Sequence, residues 1–197
     1  GQLDRAFGRL PATLPAPLAR RSPLVASDLV VGLGLPDPVR RTMVYGTVDG
    51  AELLMDVYAA PAGARAPAPG VLVIHGGSWR GGPRQEFDGL SRHLAACGYV
   101  VVSMDYRLAP AWRFPAQRDD VEAALNTLKL RAGEIGLDAS RLALLGRSAG
   151  GQLALLEAYG SRDPAIKGVV SFYGPTDLVY GYEHAADPKV YDSTAAL

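Results

Sequence analysis

The run Gly146-Arg147-Ser148-Ala149-Gly150 places a serine between two glycines at the end of an apolar stretch. Glycines two residues to either side remove the side chains that would clash in a sharp turn. A turn of that kind lifts the serine hydroxyl clear of the backbone. If a helix begins at Ala149, its dipole favours the negative charge that develops as the hydroxyl attacks a carbonyl carbon. Acyl transfer also needs donors for the oxyanion. His75-Gly76-Gly77 supplies a loop whose backbone can come within hydrogen-bond distance of a substrate, so the amides of Gly76, Gly77 and Ala149 form an expected three-donor hole.

A nucleophilic serine needs a base, ordinarily an imidazole oriented by a carboxylate. The chain holds three histidines. His75 belongs to the glycine loop and His93 falls on a helix flank. His184 and Asp177 lie beyond the nucleophile and are the candidate stand-ins for base and acid. Their ordinary readings are an exposed loop histidine and a turn-shaping aspartate, and with Ser148 they make no convincing triad. Asp119 and Asp120 suit the first turn of a helix, a structural role. Cys97, the single cysteine, sits on an apolar helical stripe and reads as filler; it excludes an internal disulfide and a cysteine metal cluster.

These side chains depend on the elements that carry them. Val71–Ile74, Tyr99–Met104, Leu142–Leu145 and Ile166–Phe172 are nearly all apolar, as strands covered on both faces must be. Between them lie amphipathic segments. Phe87, Leu90, Leu94 and Cys97 share one helical face, closed by Gly98. Val121, Ala124, Leu125, Leu128, Ala132 and Ile135 form a second stripe, with Pro115 near its start. Gly151–Tyr159 is a third, ending at Gly160. Upstream, Arg41–Thr47 and Glu52–Tyr58 flank Asp49-Gly50, a hairpin signature. A Pro/Ala/Gly linker, Pro61–Gly70, leads into the alternating region. This order predicts an α/β fold: a mostly parallel sheet with an antiparallel hairpin at one edge. Residues 1–38, rich in proline, form an expected irregular arm, and 39–197 the folded unit.

Twenty basic residues balance twenty acidic ones, so no global field favours nucleic acid or an anionic membrane. No apolar run reaches the length of a membrane span. No basic segment leads into an apolar one at the N-terminus, which leaves the compartment open with the cytoplasm favoured. No phosphate-binding glycine motif follows any strand, which argues against a nucleotide-binding turn at Ser148.

"HGGSWRGG", "DYRLAP" with "FPAQRDDV", and "GRSAGG" fall at the carboxyl ends of three successive strands, where open α/β sheets bind ligands. Together they resemble the α/β-hydrolase superfamily, and most of all its hormone-sensitive-lipase-like and feruloyl-esterase/arylformamidase-like carboxylesterases. The resemblance runs from about Arg41 to Leu178. Ser78 stands where the lipase-like branch usually has a third glycine, which favours the other branch. The resemblance implies hydrolysis of small-molecule carboxylic esters through an acyl-enzyme on Ser148, with no metal and no cofactor. It gives Asp105-Tyr106-Arg107 the task of bracing the oxyanion loop. Trp79, Tyr106, Trp112 and Tyr173 become candidates for lining an acyl or aryl pocket. It also implies two strands beyond Ile166–Phe172, carrying the acid and the base histidine. The expectation is therefore an N-terminal portion of the fold, with those two residues outside this chain. Its last strand should expose an apolar edge, to be covered by a second copy or a complementary chain. The rival readings are a non-catalytic small-molecule receptor and an assembly subunit on the same scaffold.

Overall fold

A computed structural model describes residues 40–61, 63–64 and 66–184. The expected N-terminal arm lies outside these residues. Strands β1 (Arg40–Val48) and β2 (Ala51–Tyr58) form the antiparallel hairpin, turning at Asp49 and Gly50, both with positive φ. Then follow β3 (Ala68–Ile74), a 3₁₀ turn (Arg84–Phe87), α1 (Asp88–Ala96) and β4 (Val100–Met104). The remaining elements are α2 (Ala116–Leu130), α3 (Ala132–Ile135), β5 (Leu137–Arg147), α4 (Ala149–Gly160), β6 (Ile166–Phe172) and α5 (Leu178–Glu183).

The six strands form one sheet in the order β1-β2-β4-β3-β5-β6. β4, β3, β5 and β6 run parallel, and β2 joins β4 antiparallel. Alternation along the central strands divides the core between two faces. Leu72, Ile74, Val102, Met104 and Leu144 pack under α2 and α4, while Val71, Val73, Val101 and Leu145 pack under α1. Strands covered this way have no polar face, which is why they read as continuous apolar runs.

Three expectations need correction. The stripe read as one helix from Val121 to Ile135 is broken at Arg131, and α3 then ends at Gly136, which takes φ +68. The linker is shorter than read, because β3 already begins at Ala68. β6 is not covered on both faces: Val170 pairs with Leu145 and shares its face, yet α1 does not reach it, and it stays 46% exposed. The expected exposure of an apolar edge is thus present at this strand.

Candidate active site

Met104, Ile74, Gly146 and Ser171 lie in one row across β4, β3, β5 and β6. Each motif singled out in the sequence starts at or just beyond that row. The parallel register therefore delivers Asp105, His75 and Ser148 to the same end of the sheet.

At that end β5 turns into α4 through Ser148, whose backbone takes φ +51 and ψ −120. A positive φ is costly for a residue with a side chain and persists where the surroundings impose it. The surroundings here are backbone. Ser148 N–H donates to Phe172 O at 2.9 Å, and its own carbonyl accepts from Gln152 N–H at 3.0 Å. A Cβ on Gly146 would lie 2.2 Å from Gly150 O, and one on Gly150 would lie 2.2 Å from Ile74 O. The two glycines thus let the turn close on itself and against the end of β3. The amide of Ala149 opens α4, so it has no acceptor within the helix.

The glycine loop lies directly against this turn: a Cβ on Gly76 would stand 3.0 Å from Arg147 O. Gly77, Ser78 and Trp79 all have positive φ, the last two at a cost that anchors must offset. Trp79 Nε1 donates to Gln152 Oε1 of α4 at 3.2 Å, and Ala109 N–H donates to Trp79 O at 2.8 Å. Tyr106 stacks on His75 with ring centroids 4.2 Å apart, and its hydroxyl donates to His75 O at 3.1 Å. Asp105 accepts from Arg84 at 2.7 Å, and Arg107 pairs with the buried Asp120 at 2.7 Å. Asp120 is therefore an ion-pair partner inside the fold, and its place near the start of α2 is incidental to that.

The geometry of strand, turn and loop has relatives. The BD-FAE family model matches residues 55–197, more than half of the chain. The chain belongs to the BD-FAE family. Esterase LipC of Mycobacterium tuberculosis is 35% identical over 164 residues, covering 76% of this chain and 39% of that protein. Ethyl acetate hydrolase of Pseudomonas putida is 37% identical over 147 residues, covering 74% of this chain and 46% of that protein. The chain thus spans less than half the length of these curated relatives. Among solved structures, the hyperthermophilic esterase of Pyrobaculum calidifontis superimposes with a TM-score of 0.71 at 28% identity. That match covers 86% of this chain and 61% of the other. The fold is the α/β-hydrolase fold, as the motifs implied.

Within this BD-FAE domain the other expected residues fall apart from Ser148 or into supporting positions. His75 is 2% exposed, and its Nδ1 lies 2.7 Å from Gly76 O, which requires an Nδ1–H donating there. Burial above all holds this imidazole below its ordinary range, so the ring stays neutral. His93 lies on α1 with Nε2 3.9 Å from Cys97 Sγ. Cys97 is half-buried at the end of that helix, and burial raises its thiol. Asp177 caps α5, accepting from Tyr180 N–H at 2.8 Å. His184 closes the same helix, exposed and stacked on Tyr180 at 4.2 Å, with Nδ1 3.1 Å from Tyr180 O. Among the described residues no imidazole is hydrogen-bonded to Ser148 Oγ. Trp79 and Tyr106 are buried braces, Trp112 stacks 5.1 Å under Arg107, and Tyr173 is 71% exposed beside Arg147.

One amide departs from expectation. Gly76 N–H donates to Glu86 Oε2 at 2.8 Å, so a carboxylate holds it in place of a substrate oxygen. Sequence reading missed Glu86 because it lies ten residues from Gly76, in a 3₁₀ turn of no recognisable motif. Gln152 was missed too; its only signal is its place one turn after Ser148. Among the described residues no cluster of three or more metal-ligating side chains occurs, and no helix is long and apolar enough to cross a membrane.

Proposed function

We propose that the protein containing this chain hydrolyses small carboxylic esters through an acyl-enzyme on Ser148. The observation that carries this is the backbone of Ser148, held at φ +51 over the N-terminus of α4 with the glycine loop packed against it. As its proton passes to a base imidazole, Ser148 Oγ attacks the ester carbonyl carbon, and the carbonyl π electrons move onto its oxygen. The amides of Gly77 and Ala149 stabilise that oxyanion; Gly76 leaves the expected set because Glu86 already accepts its N–H. Collapse of the tetrahedral intermediate expels the alkoxide, which takes that proton from the imidazolium. The same imidazole then accepts a proton from water as it attacks the acyl carbon, and returns it to Ser148 Oγ as the acid leaves. The base histidine and its acid are supplied by residues outside this chain.

Planarity of the peptide bond supports Gly77 as a donor. His75 Nδ1–H holds Gly76 O, and in a trans peptide the N–H of Gly77 points the opposite way, away from the imidazole. The buried imidazole thus orients an oxyanion donor and takes no proton itself. Similarity to an ethyl acetate hydrolase supports short-chain alkyl esters as substrates. Exposure of Val170 and Phe172 at β6 supports coverage of that edge by a second copy or a complementary chain.

A fluorophosphonate probe tests the reading. The purified protein is expected to be labelled and to hydrolyse p-nitrophenyl acetate, and Ser148→Ala to lose both. Labelling that survives in Ser148→Ala, or tight binding of a small ester without turnover, would favour the receptor reading instead.

A further inference from the structure

We propose that Glu86 is a positioning residue that locks the oxyanion loop to the nucleophile turn, an inference that rests on the esterase reading above. Glu86 belongs to neither motif. It sits in the 3₁₀ turn that follows the glycine loop, and its carboxylate faces both halves of the site. Oε2 accepts Gly76 N–H at 2.8 Å, and Oε1 pairs with the Arg147 guanidinium. Arg147 immediately precedes Ser148, and its Nη1 donates onward to Tyr173 Oη at 3.1 Å. One carboxylate therefore joins β3's loop to β5's turn, two segments that the sheet hydrogen bonds stop holding at Ile74 and Gly146.

The turn carrying Glu86 is itself fixed. Arg84 pairs with Asp105 at 2.7 Å, and Gln85 Nε2 donates to Asp56 Oδ2 at 2.8 Å, so the preceding two side chains tie it to β2 and the end of β4. Glu86 thus projects from a rigid base, and its carboxylate is mostly shielded, with 18% of the side chain exposed. A shielded, charge-assisted acceptor is stronger than a neutral one.

What the clamp controls follows from the two peptide planes around Gly76. In the plane joining His75 to Gly76, Tyr106 holds the carbonyl and Glu86 holds the N–H. In the plane joining Gly76 to Gly77, His75 holds the carbonyl, leaving the Gly77 N–H as the group presented to substrate. Without Glu86 the first plane has only one anchor and can rotate, which would carry the second plane and the Gly77 donor with it. A donor misplaced by an ångström loses most of its effect in the transition state and little in the ground state.

The experiment compares wild type, Glu86→Ala and Glu86→Gln by amide hydrogen exchange and by ester hydrolysis. In Glu86→Ala, exchange at Gly76 should accelerate at least about 10-fold and kcat should fall on the order of 10- to 100-fold, with KM within about twofold. Glu86→Gln keeps an acceptor for Gly76 but loses the charge facing Arg147, so it should fall between the two. Unchanged exchange at Gly76 in Glu86→Ala overturns the inference, and so does faster exchange with kcat unchanged. If wild type neither labels at Ser148 nor hydrolyses esters, the esterase reading fails by itself, and the clamp stands or falls on exchange alone.

Discussion

Ser148 is the residue whose backbone most needs its neighbours. Gly150 leaves no room among those neighbours, because a Cβ there would meet two fixed carbonyl oxygens, Ile74 O at 2.2 Å and His75 O at 2.3 Å. Gly150→Ala is therefore expected to destabilise the domain by about 3 kcal/mol or more and to abolish fluorophosphonate labelling. Gly160, at the end of the same helix, has no atom within 4 Å of where a methyl group would stand, so Gly160→Ala should be neutral or stabilise by about 0.5 kcal/mol. Denaturant titration of the two variants side by side separates a steric requirement from a general intolerance of the helix. Equal effects would sink the argument from Gly150's contacts.

At the scale of elements, α4 does two jobs. Its first turn follows directly on Ser148, and its last turn packs against α2 through Glu157, which is 2% exposed. Glu157 Oε2 is buried without a hydrogen-bond partner, and burial raises its carboxyl above the usual range. The charged groups around it are Arg118 and Glu122 on α2 and Asp163 in the loop after α4. A folded-state value above the unfolded one means that the native state holds the extra proton. Stability from this group is complete below the ordinary carboxylate value of 4.5 and declines as pH rises through the raised one. Glu157→Gln removes that decline. Its stability relative to wild type should be near zero at about pH 4 and grow to about 1 kcal/mol by about pH 7. A difference that stays flat across this range, measured by urea denaturation, would show that Glu157 is ionised in the fold.

For the molecule as a whole, the decisive feature is the unequal cover of the sheet. The face under α2 and α4 is closed, whereas the α1 face leaves Val170 and Phe172 at 46% and 41% exposed on the edge strand β6. Among the described residues Phe172 has one ring neighbour, Phe87, at 6.1 Å. Unpaired strand groups beside apolar side chains template association. The 197-residue polypeptide is therefore expected to sediment above monomer mass at roughly 50 µM, and Val170→Lys to shift it towards monomer. A wild-type polypeptide that stays monomeric at that concentration would argue that the edge needs no cover.

Much of the fold was legible because the strands carry it in composition: continuous apolar runs separated by stripes of helical period admit little besides a covered parallel sheet. The Ser148 turn and the glycine loop were legible for a related reason, since a backbone at positive φ or within van der Waals reach of another backbone leaves glycine as its signature. Charge contacts leave no such signature. Glu86, Arg84 and Asp56 act through side chains that meet only after β2, β3, β4 and the 3₁₀ turn are assembled. Asp120 looked like a helix-dipole residue until the fold placed Arg107 against it. The sequence by itself determined where the backbone must turn sharply, at Ser148 and along the glycine loop, because only glycine leaves room there. Only the tertiary structure decided that the Gly76 amide is held by Glu86, because the acceptor for a backbone N–H is chosen by proximity in space.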